Sequence, residues 1–122
     1  MSDNNTVWVV DDERSIRWVM ERALTQDGLE VECFDDGESM LRTLEQRAPS
    51  AIVSDIRMPG VSGLDLLATV TAEFPDKQVY MVTAYDDGQL EATALESGAR
   101  GYLTKPIDFN SLKGEVFGLE TA

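Results

Sequence analysis

Four strand-like segments of this chain each run into a group that can do chemistry. Residues 7–10 meet Asp11 and Asp12, residues 51–54 meet Asp55, residues 78–82 meet Thr83, and residues 101–104 meet Lys105. Asp55 is the sharpest case, because a run that reads as buried strand ends on it and the turn-forming stretch Ile56-Arg57-Met58-Pro59-Gly60 follows at once. A carboxylate so placed is a candidate nucleophile. Three carboxylates in one cleft repel one another unless a cation sits among them. A hard divalent ion such as Mg²⁺, which takes oxygen ligands and retains several waters, resolves that conflict. With the charge neutralised, Asp55 can attack an electrophilic phosphorus and form an acyl phosphate. Lys105 then serves as a point charge on the phosphoryl oxygens and Thr83 as a hydroxyl donor.

Each of these residues also has a plainer explanation when taken alone. Asp11-Asp12-Glu13-Arg14 reads as an N-terminal helix cap with acids at the positive end of the dipole. Asp55 can open an Asx-type turn into Met58-Pro59-Gly60. Thr83 can be a turn hydroxyl and Lys105 a surface lysine. The shared position at strand ends favours the joint chemical reading, since ligands of open α/β sheets bind beyond the carboxyl ends of the strands.

The elements that must bring these groups together are legible in the periodicity. A first helix follows residues 7–10, with Ile16, Val19, Met20, Ala23 and Leu24 spaced as a buried stripe, and Gly28 closes it. Glu30-Val31-Glu32-Cys33-Phe34 leads to a helix carrying Met40, Leu41 and Leu44, expected to stop at Pro49. Residues 51–54 lead to Leu64, Leu66, Leu67 and Val70, with Pro75 as the stop. Residues 78–82 precede a more polar helix, from about Asp87 to Ser97, whose apolar side is only Leu90, Ala94 and Leu95. Its burial should be shallow. Residues 101–104 precede a fifth helix with Leu112, Val116 and Leu119, weakened by Gly114 and Gly118.

Five strand–helix units joined by short connections imply right-handed crossovers and a parallel sheet covered on both faces. The expected fold class is α/β: a single doubly wound five-stranded parallel sheet, for which two strand orders are natural and 2-1-3-4-5 is favoured, because it sets strands one and three side by side and makes Asp11, Asp12 and Asp55 neighbours. Lys105-Pro106 is expected to carry a cis bond that aims the lysine back into the cleft. Tyr102 is placed on the fifth strand either outward beside the fourth helix or inward as core.

Length and composition bound the alternatives. The chain's 122 residues suit one domain, and 43% hydrophobic residues support a packed core. Ten basic against twenty-three acidic residues give a net charge of −13, which opposes direct contact with nucleic acid or an anionic membrane surface. There is no histidine, which excludes a histidine-based triad, and the single cysteine, Cys33, can form no internal disulfide and is expected in the core. No run approaches the roughly 20 apolar residues of a membrane span, and the first six residues lack the parts of a signal peptide, so a cytoplasmic location is expected. An aspartate-nucleophile phosphohydrolase is a rival reading, but it should carry two acids two residues apart after the first strand, unlike Asp11-Asp12-Glu13. A flavodoxin-like cofactor binder lacks its glycine-rich phosphate loop here. A phosphate-independent interaction module remains as the third alternative.

Taken together, Val9-Val10-Asp11-Asp12, Ser54-Asp55-Ile56-Arg57-Met58-Pro59-Gly60, Val82-Thr83-Ala84 and Gly98-Ala99-Arg100-Gly101-Tyr102-Leu103-Thr104-Lys105-Pro106 resemble the receiver domain of two-component response regulators. The segments Val7-Trp8-Val9-Val10-Asp11-Asp12, Ser15-Ile16-Arg17-Trp18-Val19 and Glu21-Arg22-Ala23-Leu24 are similar to the nitrogen regulatory protein C branch, which couples a receiver to an ATPase and a DNA-binding domain. The resemblance implies that residues 1–122 are a receiver without its output domain. It implies Asp55 as phospho-acceptor from a sensor histidine kinase, and Mg²⁺ held by Asp11, Asp12, Asp55 and the backbone carbonyl of Arg57. Thr83 and Lys105 would bind the phosphoryl group, and Thr83 with Tyr102 would form a switch pair. The expected partners are the kinase, an output domain reached through the fourth helix and fifth strand, and a second copy in a phosphorylation-dependent dimer. Asp86-Asp87-Gly88 and Ile107 depart from the family's usual residues and bear on the switch and partner surface.

Overall fold

The structure, a computed structural model, describes residues 6–26, 28–57, 60–74, 78–84 and 88–105. Their order is β1 (Thr6–Val10), α1 (Arg14–Thr25), β2 (Glu30–Phe34), α2 (Gly37–Leu44), β3 (Ala51–Asp55), α3 (Gly63–Glu73), β4 (Gln78–Thr83), α4 (Gly88–Glu96) and β5 (Gly101–Thr104). All four strand pairings are parallel and the sheet order is β2-β1-β3-β4-β5, as the sequence implies. The fifth helix, the Lys105–Pro106 bond, Asp86, Asp87 and Ile107 lie outside the described residues.

Strand residues alternate between two cores, because successive side chains point to opposite faces. Trp8, Val10, Ile52, Val79 and Met81 pack with Met40 and Leu44 of α2, Leu66, Leu67 and Val70 of α3, and Ala94 of α4. Val7, Val9, Val53, Tyr80, Val82 and Leu103 pack with Met20 and Leu24 of α1 on the other face. Full burial of side chains of this size stabilises by about 1.5–3 kcal/mol each. The central strands are therefore the rigid floor of whatever stands at their ends.

Three expectations need correction or refinement. Val19 does not join the buried stripe of α1 but is 41% exposed. At about 100° per residue it falls roughly 120° around the helix from the Met20–Leu24 line. Pro49 does not stop α2, which ends at Leu44 with Glu45 as its cap; Pro49 is buried just ahead of β3. Cys33 is half-buried and packs against the edge of the α1-side core rather than inside it, its thiol lying 3.8 Å from the Arg17 carbonyl. Burial first, then the Glu21 and Glu32 charges, push that thiol up to about 11 against the pull of Arg17, so it is unreactive near neutrality.

Gly28 does close α1, with φ of +84° and its N–H on the carbonyl of Thr25. The shallow burial expected of α4 is also observed. Among its residues Ala94 is buried, while Leu95 is 45% exposed. No helix among the described residues is long and apolar enough to cross a membrane.

Candidate functional site

The carboxyl ends of β1, β3, β4 and β5 meet in one cleft. Asp11 follows β1 and extends its ladder, donating its N–H to the carbonyl of Phe34 at 3.1 Å. Its Oδ1 accepts from the N–H of Glu13 at 2.9 Å, and its carbonyl accepts from the Arg17 guanidinium at 2.6 Å. The backbone turn into α1 therefore holds Asp11 from both sides, and the residue is 3% exposed. Asp12 is exposed at the rim. The sequence reading of this pair as a helix cap is not met: the N-cap position belongs to Glu13, whose side chain makes no cap hydrogen bond, and Asp11 instead takes the N–H of Glu13 itself, ahead of the helix.

Asp55 is the last residue of β3 and is 7% exposed. The N–H of the next residue, Ile56, donates to Val82 on β4, and the Ile56 carbonyl accepts from the N–H of Gly63 at 2.8 Å. That bond draws the first turn of α3 onto the end of β3. A Cβ at position 63 would overlap the carbonyl oxygen of Asp55 and lie 2.6 Å from Cα of Ile56. Glycine is thus required there for close backbone approach. Sequence reasoning missed this residue; the Ser62-Gly63 pair just ahead of the apolar stripe of α3 was the available signal.

One carboxylate oxygen from each of Asp11, Asp12 and Asp55 can be chosen so that all lie within 4.8 Å of one another. Lys105 reaches the same point from β5. Its N–H donates to the carbonyl of Thr83 at 2.7 Å, and its ammonium stands 3.0 Å from Oδ2 of Asp11, 3.6 Å from Oδ2 of Asp55 and 3.7 Å from Oε1 of Glu13. A cleft of about 250 Å³ is lined by Asp12, Glu13, Asp55, Arg57, Thr83, Ala84 and Lys105. Every residue that the sequence singled out for metal or phosphoryl chemistry is thus at one place. Glu13 and the Asp11-anchoring Arg17 are additions that spacing alone did not reveal.

The electrostatics follow from crowding. Burial, and next the charge of Asp11, push the Asp55 carboxyl above its usual range. Lys105 and the N–H groups of Ile56 and Arg57 oppose the shift without cancelling it. Burial alone would lower the Lys105 ammonium, but the Asp11 hydrogen bond and the charges of Asp11, Asp55 and Glu13 outweigh it and raise the group. An acid cluster of this kind, all oxygen donors and open on the Asp12 side, suits a small hard cation with water in its remaining positions.

Tyr102 sits one strand-face away from that chemistry. It pairs in register with Met81 of β4 and packs against the core beneath α3 and α4. Thr83, two residues beyond Met81, shares its face by the strand alternation. The two side chains expected to act as a pair therefore stand on the same side of adjacent strands, facing α4.

A parallel 2-1-3-4-5 sheet with an acid trio and a lysine at its carboxyl end defines a class, and the comparisons agree. Residues 7–117 match the family described as response regulator receiver domain, and the chain belongs to that family. Within it the chain is similar to the nitrogen regulatory branch. It is 44% identical over 104 residues to the DNA-binding transcriptional regulator NtrC of Escherichia coli K12, covering 85% of this chain and 22% of that protein. It is 41% identical over the same length and coverage to NtrC of Proteus hauseri. The chain thus spans about a fifth of the length of these relatives. Among solved structures, a receiver domain protein from Clostridium thermocellum superposes with a TM-score of 0.87 at 27% identity, covering 93% of this chain and 91% of that one. The response regulator TrrA of Thermotoga maritima, solved in complex with Mg²⁺–BeF, superposes with a TM-score of 0.85 at 28% identity, covering 95% and 99%.

Proposed function

We propose that this receiver is a phosphorylation-driven switch in which Asp55 accepts a phosphoryl group from a sensor histidine kinase. The observation that carries the reading is the position of Asp55 at the floor of the cleft, with the Lys105 ammonium 3.6 Å from its Oδ2 and two further carboxylates within metal-sharing reach. An Oδ oxygen of Asp55 attacks phosphorus and the new oxygen–phosphorus bond forms. The phosphorus–nitrogen bond breaks with its electron pair left on the kinase imidazole, which takes up a proton from solvent. Lys105 turns from the carboxylates to the phosphoryl oxygens, and the Thr83 hydroxyl donates to one of them. Mg²⁺ bound by Asp11, Asp12, Asp55 and the Arg57 carbonyl would supply the positive charge that lets an anion approach this acidic cleft. Hydrolysis of the acyl phosphate in the same cleft returns the domain to rest.

The response is carried on β4, α4 and β5. Thr83 and Tyr102 share the face beneath α4, and α4 is held by little apolar surface, so new contacts at Thr83 and Lys105 act on a loosely anchored element. The output is a transcriptional one, exerted through the linked ATPase and DNA-binding domain that the resemblance to the nitrogen regulatory branch implies, with a phosphorylation-dependent dimer as the intermediate assembly. The net charge of −13 opposes nucleic-acid contact by these residues, which supports placing that contact on a linked DNA-binding domain. Intact mass after treatment with acetyl phosphate and Mg²⁺ tests the first step: a hydroxylamine-sensitive adduct is expected in the wild type and absent in Asp55→Asn. An adduct that survives the substitution overturns the assignment. Amide shifts over residues 88–105 on phosphorylation test the second step, and unchanged shifts there contradict it.

A further inference from the structure

Glu13 occupies the N-cap of α1, where glutamate is not among the favoured residues and where its side chain makes no cap bond. Instead its Oε1 extends to within 3.7 Å of the Lys105 ammonium, and the residue forms part of the cleft wall. Its side chain is 61% exposed, against 4% for Asp11 and 9% for Asp55, the other carboxylates on that ammonium. The metal-competent trio is Asp11, Asp12 and Asp55. A cation among those three screens their hold on Lys105 and leaves Glu13 as the carboxylate with its charge intact at the ammonium. An incoming phosphoryl dianion must take Lys105 from this residue and pass its charge on the way in.

We propose that Glu13 is a positioning residue that competes with the phosphoryl anion for Lys105 and thereby sets how tightly the cleft holds small anionic phosphodonors. The inference rests on the reading of Asp55 as phospho-acceptor and goes beyond it. Because the contact is an exposed ion pair, its removal is worth a modest factor, and salt erases it. A competitor that acts equally before and during bond formation alters half-saturation and leaves the saturated rate unchanged.

The test compares wild type, Glu13→Gln and Glu45→Gln, the last removing one charge at the C-terminal end of α2, away from the cleft. The initial rate of Asp55 modification is followed by intact mass against acetyl phosphate concentration, in Mg²⁺ at low ionic strength. In this reaction the Asp55 oxygen–phosphorus bond forms and acetate leaves with the electron pair. Glu13→Gln is expected to lower the half-saturating concentration roughly two- to fivefold with the saturated rate unchanged. The Kd for inorganic phosphate, read from the Thr83 and Ala84 amide shifts, falls by the same factor. Both differences vanish near 1 M salt, and thermal unfolding moves by no more than about a degree or two, because no cap bond is lost and the exposed ion pair contributes little. Unaltered half-saturation and phosphate affinity in Glu13→Gln overturn the proposal, as does an equal effect of Glu45→Gln. Absence of any adduct in the wild type instead overturns the phospho-acceptor reading, and the phosphate titration still decides the competition at Lys105.

Discussion

The ammonium of Lys105 and Oδ2 of Asp11 meet at 3.0 Å although 94 residues separate them in sequence and two strands, β3 and β4, lie between theirs in the sheet. This bond spans the carboxyl end of the sheet and places one cation among three acids. Removing it in Lys105→Ala leaves crowded carboxylates without their counter-charge. Unfolding in urea at pH 7 without divalent ions should show a loss of roughly 1.5–3 kcal/mol, the scale of a hydrogen bond to a charged group. The Lys105 pKa is raised above 10.5, so its contribution is fully present below that value and disappears as pH climbs past the folded-state value. The deficit of the variant should therefore be constant from pH 7 to 10. A variant as stable as the wild type would show that the bond contributes nothing net.

Asp55 has the same sign of pH slope as Lys105 but, being ionised at pH 7 against its surroundings, contributes unfavourably there. Its folded pKa is raised by burial and by Asp11, so the native state binds its proton more tightly than the unfolded chain does, and stability falls as pH rises through that range. Asp55→Asn should stabilise the metal-free domain at pH 7, by about 1 kcal/mol on the scale of ordinary single substitutions. The gain should shrink as pH falls towards the ordinary carboxylate value of 3.8. A Tm–pH series on both proteins checks it, and a gain that persists at low pH would remove charge crowding as the cause.

How much of this was legible beforehand depends on which residues one asks about. Val7, Val9, Ile52, Val53, Val79 and Val82 sit in unbroken apolar runs, and a strand buried on both faces needs that pattern, so the parallel sheet followed from sequence, whereas its order was a choice between two natural ones, in which the family resemblance supported 2-1-3-4-5. Asp11, Asp55, Thr83 and Lys105 were legible because each ends such a run. Val19 was misread because its three-residue spacing from Ile16 says nothing about which edge of the stripe faces the sheet. Gly63 and Glu13 were missed for a different reason. One acts through a missing Cβ against the backbone of β3, the other through a contact with a residue far along the chain, and neither leaves a periodic trace.

Magnesium should act on this domain as a stabilising ligand with a defined donor set. Binding to the native state alone raises stability by about 1.4 kcal/mol per tenfold excess over Kd. Tm should therefore climb with the logarithm of Mg²⁺ concentration in the wild type. Asp12 is exposed, so Asp12→Ala should leave the metal-free Tm within about a degree or two, in line with the small effects of surface substitutions. The same variant should flatten the Mg²⁺ response. A full response in Asp12→Ala would place the cation elsewhere.

Gly63→Ala probes how α3 is seated on β3. The added methyl overlaps the Asp55 carbonyl oxygen, a backbone atom that cannot swing aside as a flexible side chain would. The helix must back away, breaking the 2.8 Å bond from the Gly63 N–H to Ile56 and shifting Asp55 with it. A loss of roughly 2–4 kcal/mol in urea unfolding is expected, within the range of severe packing and strain changes. Where the variant still folds, its Mg²⁺ midpoint should rise as well, because the carboxylate moves with its backbone. A neutral substitution would mean that the two elements separate without cost.

The anchoring of α4 is uneven along its length, and that bears on how a signal leaves the cleft. At its C-terminal end the Ala99 N–H bonds to the Ala94 carbonyl, and Gly98, at φ of +109°, turns the chain tightly against Thr71 of α3, whose hydroxyl oxygen lies 3.3 Å from the Ser97 carbonyl and 2.9 Å from that of Leu67. Ahead of Ala94 the helix offers Leu90, only partly buried, and otherwise exposed residues. An element held at one end by so little apolar area opens at a fraction of the global free energy. Native-state hydrogen exchange should therefore find the α4 amides exchanging on the order of a hundredfold faster than those of β1 and β3, where both faces are packed. Phosphorylation, by adding contacts at Thr83 and Lys105, should narrow that gap. Protection of α4 equal to that of β3 in the resting domain would show that it moves only with global unfolding, and the output would then have to be carried by another face.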